Sequence, residues 1–167
     1  EGELGEDFDK FLSYIRTILV KEKARLSLLK EFEQNIYSPK GKSETPLLNR
    51  GNETFEYIEK YKQHYDTIFS GANYDLNGNW EFDNLISLLS DTALSDIWIP
   101  PLLAYREKYG DLEILSFLRK LDNKFSGDWI TRQTPTFRIE SMNSIIKAIE
   151  KEDRNSLMTS KVFEFDQ

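Results

Sequence analysis

The chain has 167 residues, with 22 Lys and Arg against 29 Asp and Glu, so its formal net charge is −7 at pH 7. That balance argues against a stand-alone nucleic-acid binder, whose affinity rests on a net basic face. The absence of cysteine excludes disulfides and thiolate metal sites. The length fits one domain with a real core, and 11 Phe, 8 Tyr and 3 Trp supply large side chains to fill it.

No run approaches the roughly 18 consecutive apolar residues of a membrane span, so no membrane partner is expected. The opening residues E-G-E-L-G-E-D-F-D-K-F hold neither an initiator Met nor a secretory signal. The expectation is a piece excised from a longer protein, and the lack of cysteine points to a reducing, cytoplasmic location.

From Glu6 to Tyr37 two apolar stripes recur at helical spacing. Phe8, Phe11, Leu12, Ile15, Ile18 and Leu19 form the first, and Leu26, Leu29, Phe32 and Ile36 the second. Lys21, Glu22 and Lys23 separate them, which predicts two helices or one bent helix. Residues 38–52 hold two Pro and two Gly among polar residues and read as a loop, the stretch most expected to be disordered.

A helix follows from Thr54 to about Ser70, with Phe55, Ile58, Tyr61, Tyr65, Ile68 and Phe69 on one broad face and Glu53 and Glu56 at the positive end of its dipole. The passage G-A-N-Y-D-L-N-G-N is turn-rich. Within it Asp75, Asn77, Asn79 and Glu81 alternate oxygen donors, but a calcium loop starting at Asp75 needs Gly at Trp80 and a carboxylate at Ile86. The reading is therefore a turn, with Asn79 capping a short helix that uses Phe82, Leu85, Ile86 and Leu89.

Residues 97–125 carry the clearest organisation, and Ser95 opens them. Pro100 and Pro101 suit a first helical turn, where the missing N–H costs nothing, and Gly110 supplies the left-handed residue that ends the helix. Asp111 is expected to cap the next helix, whose Ile114, Phe117, Leu118, Leu121 and Phe125 make one stripe. Ser126 and Gly127 are expected to end it. Trp98 should plug the space between this hairpin and the last helix, which runs from Pro135 to Lys151 behind a Thr134 or Thr136 cap and buries Ile139, Met142, Ile145, Ile146 and Ile149. Residues 154–167 show no period beyond V-F-E-F and read as a truncated connector to the helical domain of residues 6–153. The fold class expected is all-α, a bundle of about six to seven helices.

Little in this pattern carries chemistry. His64 is the single histidine, so a site needing two imidazoles is excluded, and a boundary residue bonded to a neighbour outweighs a lone general base. There is no G-x-S-x-G, P-loop or G-x-G-x-x-G motif, and no catalytic, cofactor-binding or metal-binding residue is assigned. Asn52-Glu53-Thr54 is formally a glycosylation sequon. One basic grouping remains: Arg119, Lys120, Lys124, Arg132 and Arg138, interleaved with Trp129, Thr131, Thr134 and Thr136. Such residues beside a helix N-terminus hold phosphate oxygens, while lysines and arginines late in a helix also simply complement its dipole.

The stretches W-I-P-P-L-L-A-Y from Trp98, F-L-R-K-L-D from Phe117 and T-P-T-F-R-I-E-S-M-N-S-I-I-K-A-I-E from Thr134 resemble, in that order, the GmrSD-type family headed by domain of unknown function 262. The earlier A-R-L-S-L-L-K-E-F-E-Q-N-I-Y from Ala24 looks like the helix that precedes them there. The resemblance implies restriction endonucleases acting on modified or foreign DNA, with an N-terminal ParB-like nucleotidase part marked by D-G-Q-Q-R and a C-terminal HNH nuclease. Neither motif occurs here. What the resemblance implies for this chain is a non-catalytic helical scaffold between those two parts, its partners being the flanking nuclease and nucleotidase domains, with a weak DNA contact. A helical protein-interaction domain and a hydrolase built on scattered carboxylates are the readings beside it.

Overall fold

The computed structural model describes residues 2–39, 45–69, 80–93 and 95–165. The turn-rich passage with Asp75, Asn77 and Asn79, and the middle of the 38–52 loop, lie outside them. Every regular element described is helical, with no strand among the described residues. In chain order they are α1 (Gly2–Val20), α2 (Leu28–Glu31) running straight into a π-helical turn (Phe32–Ile36), α3 (Asn52–Phe69), α4 (Trp80–Thr92), α5 (Ile99–Tyr109), α6 (Ile114–Ile130), α7 (Pro135–Lys151), α8 (Arg154–Met158) and a 3-10 turn (Lys161–Phe163). The all-α bundle read from the periodicity is the fold observed. No described helix is long and apolar enough to cross a membrane.

α5 is the hub. Its diproline start stands as expected, and seven consecutive residues from Ile99 to Tyr105 are buried, so the first two turns of α5 are enclosed on all sides, and the helix touches α1, α3, α6 and α7. A helical stretch without a polar face is stable only when surrounded. Tyr105 stacks on Phe117 of α6 at 4.1 Å and donates to the Leu112 carbonyl at 2.6 Å, which closes the α5–α6 turn. At its far end Lys108 donates to the carbonyls of Ile149, Glu150 and Glu152 at 2.6–3.0 Å, neutralising the exposed end of α7.

Several local expectations are corrected. Trp98 is 1% exposed, as expected of a plug, and its ring also meets that of Phe69 on α3 at 5.9 Å. It is also the residue that leads into α5, whereas Ser95 lies before the turn; the Ile99 N–H bonds the Asp96 carbonyl at 3.0 Å. Asp111 does not cap α6. Its carboxylate accepts from Arg106 at 3.0 Å, and Glu113, at φ 55, leads into the helix instead. Of the two candidate caps for α7, Thr134 accepts from the Phe137 N–H at 3.2 Å, while Thr136 accepts from Lys23.

Ser126 and Gly127 do not end α6, which continues to Ile130. Gly127 is there for space: a Cβ at this position would fall 2.0 Å from a ring carbon of Phe165. Residues 154–165, read as a connector, dock on the bundle, with α8 and the 3-10 turn against α7 and Leu157 fully buried. Four members of the predicted stripes face outward: Phe8 is 52%, Leu26 41%, Leu29 70% and Phe55 71% exposed. Between α1 and α2 the chain breaks at Lys21, which has a left-handed φ of 54, so the two-helix alternative holds.

Candidate nucleic-acid interface

The five basic residues singled out by sequence come from α6 (Arg119, Lys120, Lys124), the α6–α7 turn (Arg132) and α7 (Arg138). Arg119 turns toward α4, where its Nε and second amino group both meet Glu81 at 2.9 and 2.5 Å. Lys120 lies over the Phe163 ring at 5.9 Å. Arg132 is exposed at a left-handed φ of 58.

Lys124 is the clearest correction. It is 4% exposed and bonds Asp128 one turn later at 3.0 Å, with the rings of Phe137 and Phe165 at 5.6 and 5.4 Å over its ammonium. A cation so enclosed does not reach a phosphate. Its partner Asp128 is 2% exposed, and the second carboxylate oxygen has no protein partner among the described residues. The signal for this pair was an i, i+4 spacing of Lys and Asp on a helix. Arg138 lies flat on the Trp129 indole at 3.3 Å from the ring centroid, the close stack that a guanidinium makes with an aromatic face. Of the five, Arg132 and Arg138 flank the same turn.

Elsewhere the charged groups are engaged with one another. Glu31, at the end of α2, is 1% exposed and gathers five donors: Arg16 twice at 2.9 and 2.7 Å, Asn35 at 2.6 Å, and the backbone N–H groups of Arg25 and Leu26 at 2.7 and 2.9 Å. Burial pushes this carboxyl up, but the hydrogen bonds outweigh it and bring it down to about 2. His64 sits between α3 and α5, its Nε2 2.6 Å from Glu107 and its Nδ1 against Arg106. Glu107 also holds Lys60 at 2.7 Å. Burial raises the Glu107 carboxyl, while Lys60 and His64 together draw it below its ordinary value. This cluster bridges two helices; it is the bonded boundary role that the sequence favoured for His64. Among the described residues no group of three or more His, Cys, Asp or Glu side chains could hold a metal ion.

No family model, curated protein or solved structure matches the chain. Its surface must therefore be read by itself. An apolar groove of about 380 Å³ runs between α4 and the end of α6, lined by Leu88, Leu89, Phe125, Trp129 and Ile130. Leu88 is 55% and Ile130 80% exposed at its rim, and Trp80 at the start of α4 is 73% exposed. Sequence reasoning missed this groove because Ile130 falls beyond the predicted end of α6. Had Gly127 been read as an interior glycine, the stripe Phe125, Trp129, Ile130 would have marked it.

Proposed function

We propose that this chain is a non-catalytic helical scaffold module of a cytoplasmic, GmrSD-like, modification-dependent DNA restriction or defence protein, positioning nuclease and nucleotidase parts. The observation that carries the scaffold half of this reading is how the side chains are divided. The groups capable of acid–base chemistry that lie inward, Glu31, His64, Glu107 and Asp128, are engaged in bonds between or within helices. Large apolar side chains, by contrast, are left outward along the α4–α6 groove. An exposed apolar recess with a polar surround is what a protein contact needs. The restriction half rests on the order of the three sequence stretches that resemble the family. A second reading, weak DNA contact, is favoured by Arg132 and by the Arg138–Trp129 stack beside it.

Two measurements test the proposal. The reading frame around the chain should encode D-G-Q-Q-R and HNH parts; their absence removes the restriction half and leaves a helical interaction domain of unrelated function. Where they are present, co-purification of those parts with the chain should be lost in Leu88→Asp/Ile130→Asp. The melting temperature should stay near the parent's, since both side chains are more than half exposed. Unchanged co-purification would remove the groove as the contact.

A further inference from the structure

The segment after α8 makes a second, separate surface feature, on the opposite face of α6 from the apolar groove. Phe117, Lys120, Lys124 and Gly127 recur at i, i+3, i+7 and i+10, one side of a helix. Along that side two phenylalanines of the V-F-E-F stretch are seated in order. Phe163 meets Phe117 edge-on at 6.0 Å under Lys120, and Phe165 rests where Gly127 has no side chain, with the Lys124 ammonium 5.4 Å from its ring. Residues two apart in an extended chain are separated by about 7 Å, close to the rise of about 6 Å from Lys120 to Lys124, so the two rings of F-x-F fall beside successive lysines.

This seat is dearer than ordinary core packing. A glycine inside a helix costs about 1 kcal/mol relative to alanine. A buried Lys–Asp pair adds little net stability over apolar residues of the same volume. Yet the ring that both features serve remains 49% exposed. The main-chain hydrogen bonds of the segment are local, from Phe163 N–H to the Ser160 carbonyl and from Glu164 N–H to the Lys161 carbonyl. The segment is thus held on α6 by side chains, and a crevice of about 380 Å³ stays open beside it, lined by Lys124, Phe137 and Ser141 with Lys161 and Glu164 of the segment.

We infer that this face of α6 is a peptide-binding site for Phe-x-Phe segments, which the chain's own Val162, Phe163, Glu164 and Phe165 fill in cis and the same motif enters when offered in trans. Specificity comes from the Gly127 notch, which accepts a ring only at the second aromatic position, and from Lys120 and Lys124, which favour aromatic faces over aliphatic side chains. The site is independent of the α4–α6 groove and of the scaffold reading.

The test uses a labelled peptide of sequence S-K-V-F-E-F-D-Q and the full chain. Phe163→Ala/Phe165→Ala empties the seats in place, and removing the competing segment should tighten peptide binding by roughly tenfold or more, as expected when the competent fraction rises from below about a tenth. Gly127→Ala combined with the emptied seats should abolish binding, and the peptide S-K-V-A-E-A-D-Q should not bind. Circular dichroism verifies that each variant keeps the parent's helicity. Equal binding to parent and emptied chain, binding indifferent to Gly127→Ala, or no binding to a helical emptied chain at millimolar peptide would overturn the site. Should the emptied chain fail to fold, the parent carrying a fluorinated phenylalanine at 165 decides. Excess peptide should move its fluorine resonance toward the solvent-exposed position, and a resonance that ignores both peptides would overturn the proposal equally.

Discussion

The Glu31 carboxylate gives the sharpest test of how this fold is held. Its ordinary value of 4.5 is brought down to about 2 in the folded chain, a difference worth about 3 kcal/mol. Because the folded value is the lower one, the contribution is fully present above pH 4.5 and is lost as pH falls toward 2. At pH 3 about 2 kcal/mol of it should already be gone. Glu31→Gln retains an oxygen for the Arg25 and Leu26 N–H groups and removes the charge opposite Arg16, which is 3% exposed. Leaving that guanidinium without its carboxylate should cost about 3–5 kcal/mol near neutral pH. Urea unfolding of parent and variant at pH 7, 5 and 3, followed by helical circular dichroism, checks both statements. The parent should lose stability between pH 5 and 3 by about 2 kcal/mol more than the variant. Parallel losses in the two proteins, or a variant within about 1 kcal/mol of the parent at pH 7, would refute the reasoning.

Trp98→Ala should cost about 3–5 kcal/mol, the range for truncating a core aromatic, and a melting temperature within a degree or two of the parent would show that α5 is not anchored there. Gly127→Ala should change sign with its background. In the parent it displaces Phe165 and destabilises, by no more than docking of residues 161–165 contributes, whereas in Phe165→Ala it should stabilise by about 1 kcal/mol through helix propensity; thermal unfolding of the four proteins closes this cycle, and destabilisation in both backgrounds would contradict it. Duplex DNA at low salt should bind weakly, with a salt slope of about two units, one each for Arg132 and Arg138. A titration of Arg132→Ala/Arg138→Ala should find that binding gone, and binding indifferent to the substitution would discard the turn as a contact.

Periodicity made the helices legible because each buries one stripe: Ile114, Phe117, Leu118, Leu121 and Phe125 are all buried, as are Met142, Ile145, Ile146 and Ile149. The diproline at 100 and the Thr134-Pro135 pair placed two helix starts within a residue. What remained hidden depends on neighbours far along the chain. A glycine reads as a helix end until Phe165, 38 positions later, is seen resting on it. Lys124 reads as a surface cation until Phe137 and Phe165 cover it. Glu31 reads as one more solvated acid because nothing local announces the guanidinium of Arg16, which reaches it from α1. Each case is a polar or small residue whose meaning is set by tertiary contact, and such contacts leave no period in the sequence.

The placement of the hub has a consequence for the order in which the polypeptide is made. Synthesis proceeds from the N-terminus, and about 80 residues separate the end of α1 from the start of α5, an interval on the order of 10 s at ordinary elongation rates. By the end of that interval α1 and α3 have been made and α5, which touches both, has not. The nascent chain therefore carries the α5-facing sides of two helices uncovered for seconds. Folding is gated by the emergence of Ile99–Tyr109, so ribosome-bound chains should turn protease-resistant only in lengths that carry α5 clear of the exit tunnel, and resistance in shorter chains would show that the first helices fold without their hub.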